Sequence, residues 1–169
     1  MGLESFPVES MRIVIDMHMN ASPEQIFAAL TTGVAIWWGP GYLESAKLAR
    51  DLILEPRLGG RFYESWDDAS TDKDGALLGN VIQIKKLQLI KVAGYFGLEE
   101  RCAFGVVSIW LKRQDGGTLV KFQHDATGDL DEAIKETQMI TWQNLLDALK
   151  TQVEHHQSLG VRSDPAFED

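Results

Sequence analysis

Two short stretches place side chains able to do chemistry on the inner face of a sheet. In "TLVKFQHD" (118–125) Val120 and Phe122 set an apolar phase, and period-two alternation carries His124 with them while Lys121 and Gln123 point outward. In "GRFYESW" (60–66) the phase of Phe62 takes Glu64 and Trp66 with it. A glutamate and a histidine facing one chamber could act as acid and base in cyclase, dehydratase or hydrolase chemistry. The same two groups could instead fix the orientation of a bound molecule. Each also has a plainer reading: His124 as a satisfied core histidine, Glu64 as the ion-pair partner of Arg57 or Arg61.

A third polar group interrupts an apolar stripe near the end of the chain. Leu130, Ile134, Trp142, Leu145, Leu149 and Val153 recur at helical spacing, but Gln138 lies near the centre of that stripe and Thr141 lies within it. A buried amide without partners costs about 1–3 kcal/mol. Either the helix tilts so that Gln138 sits at an edge, or the break faces a polar partner or water in a cavity between helix and sheet. "AIWWGPGY" (35–42) adds aromatic surface. Adjacent residues cannot share a face, so one of Trp37 and Trp38 can fill the core while the other projects toward the cavity mouth, its indole N–H free to donate. Ordinary packing of both rings is the alternative.

Other motifs fail on spacing. With Asp72 and Asp74 as third and fifth calcium ligands, "DKDG" puts Ser70 first and Val81 twelfth, where a bidentate glutamate is required, so the segment reads as a turn. His155 and His156 are adjacent and diverge on a helix. No phosphate-cradling G-x-x-x-x-G-K and no G-x-S-x-G elbow is present. Cys102 follows Arg101, with no histidine near it in sequence to activate it. No metal site and no cofactor is expected.

Composition narrows the partners. The 169 residues carry 16 Lys and Arg against 25 Asp and Glu, a net charge of −9 that disfavours nucleic acid and anionic membrane surfaces. A single cysteine rules out an internal disulfide and fits a reducing compartment. "MGLESFPVES" lacks the features of a secretory signal, and no apolar run approaches the roughly 20 residues that span a bilayer. A cytoplasmic location is the expectation.

The elements that must position these groups follow from patterning. "MRIVIDMHM" (11–19) alternates as a half-buried strand, with Ile13, Ile15, Met17 and Met19 inward. Ser22, Pro23 and Gln25 form a helix start with a capping box, and the helix, or a pair broken at Gly33, ends by Gly39-Pro40-Gly41. Six strand candidates follow without an intervening helix: "SAKLARDLILEP", "GRFYESW", "ALLGNVIQI", "LQLIKVAGY", "AFGVVSIWLKR" and "TLVKFQHD", the last two joined by a "QDGG" hairpin. That run argues for an antiparallel sheet. One long helix, capped by Asp129 and running from 130 to about 157, closes the chain over roughly 40 Å. Residues 10–157 are expected to form one domain, with 1–9 and 158–169 as flexible termini.

"ASPEQIFAALTTGVAIWWGP", "LEPRLGGRFYESWDD", "VVSIWLKRQDGGTLVKFQHDATG" and "TWQNLLDALKTQVE" occur in an order that resembles the homologues of the activator of the heat-shock-protein-90 ATPase, within the START-like helix-grip superfamily (SRPBCC). The resemblance covers about residues 10–155. It departs from the common pattern at "VAGYFGLEERCAFG", where an aromatic pair and extra glycines replace the usual strand-ending tryptophan. It implies an α+β helix-grip fold: a curved antiparallel sheet of six to seven strands wrapped around a long C-terminal helix, with a short helical pair after the first strand. Superfamily members include lipid carriers, hormone receptors, cyclases and co-chaperone domains, so the likeness implies function less directly. The favoured reading is binding of a small, mostly apolar or aromatic ligand by Trp38, Tyr42, Phe62, Glu64, Trp66, Tyr95, Phe122, His124, Gln138, Thr141 and Trp142. An enzyme using Glu64 and His124, or a co-chaperone-like interaction domain, are the alternatives. Trp110 falls on the phase opposite Val107, Ile109 and Leu111; an outward ring there would serve a chaperone or a second copy in a homodimer.

Overall fold

The structure is a computed structural model that describes residues 1–67, 74–156 and 160. Its elements are β1 (Glu9–Met19), α1 (Pro23–Leu30), α2 (Val34–Trp37), β2 (Asp51–Leu54), β3 (Arg61–Ser65), β4 (Gly75–Lys85), β5 (Leu89–Gly94), β6 (Phe104–Gln114), β7 (Gly117–Gly128) and α3 (Glu132–His155). All seven strands join one sheet in the order β1-β7-β6-β5-β4-β3-β2, every neighbouring pair antiparallel. Most of the "DDASTDKDG" turn, with the calcium-like positions 70 and 72, and nearly all of the 158–169 tail lie outside the described residues.

Local chemistry sets these boundaries. The Ser22 hydroxyl accepts from the Gln25 N–H at 3.2 Å while the Gln25 side chain accepts from the Ser22 N–H at 2.9 Å, so both exposed donors of the first turn are met. Gly33 separates α1 from α2, and a 3-10 turn at Pro40–Tyr42 leads out of the pair. At the β6–β7 hairpin Asp115 and Gly116 both take positive φ, 51° and 76°, as the right-handed twist of paired strands favours. Register shifts at Phe62/Tyr63 and Val81/Gln83 mark irregularities in β3–β4 and β4–β5, and such irregularities bend a sheet. A Cβ on Gly94 would overlap the Leu78 carbonyl, so strands β4 and β5 approach there only because that residue is glycine.

The C-terminal helix differs from expectation at its start. Asp131, not Asp129, caps it, accepting from the Ile134 N–H at 2.9 Å. Asp129 instead meets Arg101 at 3.4 Å. The displacement follows from Leu130, which is buried as the strand-to-helix corner and so precedes the helix rather than opening its stripe. Burial along α3 is uneven. Trp142, Leu145, Leu146, Leu149, Gln152 and Val153 are buried, whereas Met139 and Ile140 in the first half are exposed. The C-terminal half therefore anchors the helix to the sheet, and the first half stands over a less filled region.

Replacing Ser22 with alanine removes one half of the capping box. A loss of about 1 kcal/mol is expected, read as a fall of about 2–4 °C in the thermal midpoint with no change in circular dichroism at low temperature.

Candidate functional site

The centre between α3 and the sheet is filled by rings. Trp142 lies 4.6 Å from Phe122, 5.5 Å from His124, 5.8 Å from Trp38 and 5.9 Å from Phe96, centroid to centroid. Trp38 stands edge-on to Phe62 at 5.3 Å. Only about 40 Å³ is left among them, lined by side chains such as Leu54, Phe62, Ile90, Val107 and Phe122. At its centre, the space between helix and sheet where the sequence suggested a cavity is thus mostly occupied by aromatic side chains.

A larger hollow of about 220 Å³ opens at the end where α3 is less buried. Gln138, Thr141, Trp142 and Leu145 line it from α3, and Trp38 and Tyr42 from the segment after α2. Leu43, Glu44, Glu64, Leu78, Phe96 and Glu99 complete most of the wall. Gln138 and Thr141, the polar break in the helical stripe, are among the residues that border this space. Both tryptophans are buried and both border the small void, but their indole N–H groups go to different partners. Trp37 donates to the Ala29 carbonyl at 2.8 Å beneath the helical pair, while Trp38 donates to the Tyr42 carbonyl at 3.2 Å and borders both hollows. Tyr42 reaches α3 as well, its hydroxyl accepting from the Asn144 amide at 3.0 Å.

Glu64 is wholly buried and works as an anchor. Its oxygens accept from the backbone N–H of Glu44, from the backbone N–H of Ser45 at 3.2 Å, and from the Trp66 indole at 3.0 Å. Trp66 thus supports Glu64 and does not line the hollow. The arginine partners considered for Glu64 pair elsewhere: Arg61 and Arg57 lie 2.6 and 3.0 Å from Glu55. The Arg61 hydrogen bonds draw the Glu55 carboxyl down to about 2. At the mouth, partial burial and then the charge of Glu99 raise the Glu44 carboxyl above its ordinary range. Among the described residues, three glutamates but no Lys, Arg or His line the hollow.

His124 is also fully buried, and it borders neither hollow. Its Nδ1 accepts from the Trp142 indole at 2.9 Å. An indole only donates, so the neutral ring carries its proton on Nε2, which has no partner among the described residues. The acid–base reading needs Glu64 and His124 at one point, and the structure does not bring them there. Phe62 and Phe122 line the small void instead of the hollow. Tyr95 is a correction: it is exposed and stands edge-on to Phe104 at 5.2 Å. The positive φ of Phe96, 49°, breaks strand alternation after Gly94 and turns Phe96 inward in its place. Period-two counting could not find that exchange, although the glycines flanking the aromatic pair marked the spot. Leu43, Glu44 and Glu99 come from turns, where sequence offers no phase to follow. Among the described residues no group of three or more His, Cys, Asp or Glu is placed to hold a metal ion, and no helix is long and apolar enough to cross a membrane.

A seven-strand antiparallel sheet, a gripping C-terminal helix and short helices after the first strand define a helix-grip protein of the SRPBCC class. The model of the family described as "Activator of Hsp90 ATPase homolog 1-like protein" matches residues 20–154, and the chain belongs to that family. Solved structures share the fold. An uncharacterised protein from Rhizobium leguminosarum is 21% identical, with 89% of this chain and 99% of that one covered and a TM-score of 0.67. The Aha1 dimer from Colwellia psychrerythraea is 18% identical, with 86% and 97% covered and a TM-score of 0.56. CalU16 from Micromonospora echinospora is 15% identical, with 89% and 88% covered and a TM-score of 0.57. No curated protein matches the chain.

Burial pulls the His124 imidazole from its ordinary 6.5 down to about 4, partly offset by the charge of Asp125. The unfolded chain then takes up the proton first as pH falls. The stabilisation is complete above about pH 6.5 and is lost toward pH 4, by about 3 kcal/mol. Urea midpoints measured across that interval should decline in the wild type. His124→Gln, which keeps an acceptor for the Trp142 indole, should flatten that part of the profile.

Proposed function

We propose that this protein binds a small, mostly apolar or aromatic molecule in the hollow between α3 and the Trp38–Glu44 segment, as a cytoplasmic binding module. The observation that carries the reading is the 220 Å³ space bordered by Trp38, Tyr42, Phe96 and Trp142 and crossed by the polar break at Gln138 and Thr141. An apolar cavity of about 150 Å³ accepts a benzene ring, so one or two fused rings suit this one. Gln138 and Thr141 supply orienting hydrogen bonds. Glu64 holds the wall in place, since three N–H groups already occupy it. With glutamates at the mouth and no basic side chain among the described lining residues, the favoured ligand is neutral or cationic; a carboxylate would meet repulsion.

Titration of the 15N-labelled protein with indole and 2-naphthol should shift the Trp38 and Trp142 indole N–H signals together, with millimolar or tighter affinity. Thr141→Phe, which fills the hollow, should abolish those shifts while leaving the remaining spectrum in place. Shifts scattered over the surface, or an unaffected Thr141→Phe variant, would defeat the reading.

Association of two copies is a second reading, supported by the dimer described for the Colwellia protein. Trp110 lies on the outer face, in register with Leu89 and Lys121 and with the Lys91 ammonium 5.6 Å from its ring centroid. Light scattering at micromolar concentration should give twice the chain mass, falling to the monomer mass in Trp110→Glu. A monomeric wild type would remove this reading.

A further inference from the structure

The His124 Nε2–H is a buried donor with no acceptor among the described residues. Orphaned polar hydrogens in a core are rare, and each calls for an explanation. A water in the 40 Å³ void would not supply one, because His124 does not border that void, its lining is Leu, Val, Ile, Phe and Trp side chains, and a stable buried water needs about three polar partners. The rings that stand against His124 are Trp142, which is committed through its indole N–H, and Phe96 at 5.5 Å.

Phe96 is placed to separate two spaces. It borders the 220 Å³ hollow on one side and the 40 Å³ void on the other. Its ring also approaches Phe62 at 6.3 Å and Trp142 at 5.9 Å. Unlike the tryptophans it touches, it is only partly buried, and it sits on a turn with Gly97 rather than on a strand or helix. Displacing this one ring outward would join hollow and void and open the space beside the imidazole that the ring packs against. Trp38, Trp142 and Leu145 also border both spaces, but each is buried and held by α3 or by the helical pair.

We propose that Phe96 is a movable partition, and that behind it His124 Nε2–H forms a hydrogen-bond donor subsite for a carbonyl or ether oxygen on an otherwise apolar, aromatic ligand. The proposal rests on the binding reading above and deepens it by naming the acceptor group the ligand carries. The imidazole stays neutral, with Nδ1 fixed by Trp142, so it donates one hydrogen bond and transfers no proton. The subsite selects ligands by what it leaves unpaired. An acceptor-bearing ring satisfies the orphaned N–H, whereas a hydrocarbon of the same shape covers it and leaves it without a partner.

Acetophenone and isopropylbenzene, near-isosteres that differ in the carbonyl, make the test. In the intact protein, acetophenone should bind about tenfold more tightly, and it should move the His124 Nε2 resonance in 15N spectra while Nδ1 keeps its Trp142 bond. Phe96→Ala should raise acetophenone affinity by about tenfold, since the partition is gone. His124→Leu should erase the preference between probes; if that variant does not fold, the Nε2 resonance of the wild type decides alone. Equal binding of both probes with Nε2 unmoved would overturn the subsite and leave the hollow as a binding site. Failure of both probes to bind, in wild type and Phe96→Ala alike, would overturn the subsite together with the binding reading.

Discussion

The hydrogen bond from the Trp142 indole to His124, inside a ring cluster, sets the position of α3 on the sheet. An indole contributes a large apolar area and a single directional N–H. The area holds the helix against β7, and the N–H fixes its rotation and height. With Trp142 pinned, the turn that follows buries Leu145, Leu146 and Leu149, and the turn that precedes it directs Thr141 and Gln138 toward the Tyr42–Glu44 segment. Leu145 lies one turn beyond Trp142 and borders the same hollow. The shape of that space is therefore a consequence of one side chain's geometry. Removing the indole would free the imidazole as well as the helix, coupling loss of packing to loss of a buried polar pair.

This arrangement explains why the larger hollow lies at one end of the grip and not in its middle. Aromatic side chains from the end of the helical pair at Trp38, from β3, β7 and α3, and from the Tyr95–Gly97 turn converge under the helix and nearly fill the space there. Their tilted and edge-to-face contacts add stabilisation beyond area alone. The remaining hollow lies beneath the half of α3 that carries Gln138 and Thr141, where burying those groups in a dry interface would have been costly. The packed core and the open hollow thus lie under opposite halves of one helix.

Much of this was legible in the residues. The capping box at Ser22, the break at Gly33, the hairpin at Asp115-Gly116 and the uninterrupted strands gave the architecture, since each has a local physical cause. The inward phase of Glu64 and His124 was equally clear, because alternation needs nothing beyond the strand itself. What those groups face was not. Whether Glu64 meets an arginine or two backbone amides depends on where the 43–45 turn comes to rest, and His124 is screened by a ring whose direction is set by a positive φ. Tyr95 and Phe96 exchange places for that same reason. The α3 cap moved from Asp129 to Asp131 because a buried leucine can terminate a strand as readily as begin a helix.

Glu64 grips the rim through main-chain N–H groups of residues 44 and 45, and every amino acid except proline supplies such a group. The scaffold is consequently indifferent to which side chains those two positions carry. A gene duplicate could exchange Glu44 for a lysine, an alanine or an aromatic residue and retain the same loop path, altering the entrance without rebuilding the wall. In evolutionary terms the anchor separates heritable shape from an adjustable rim, giving descendants of this chain a short route to a new entrance.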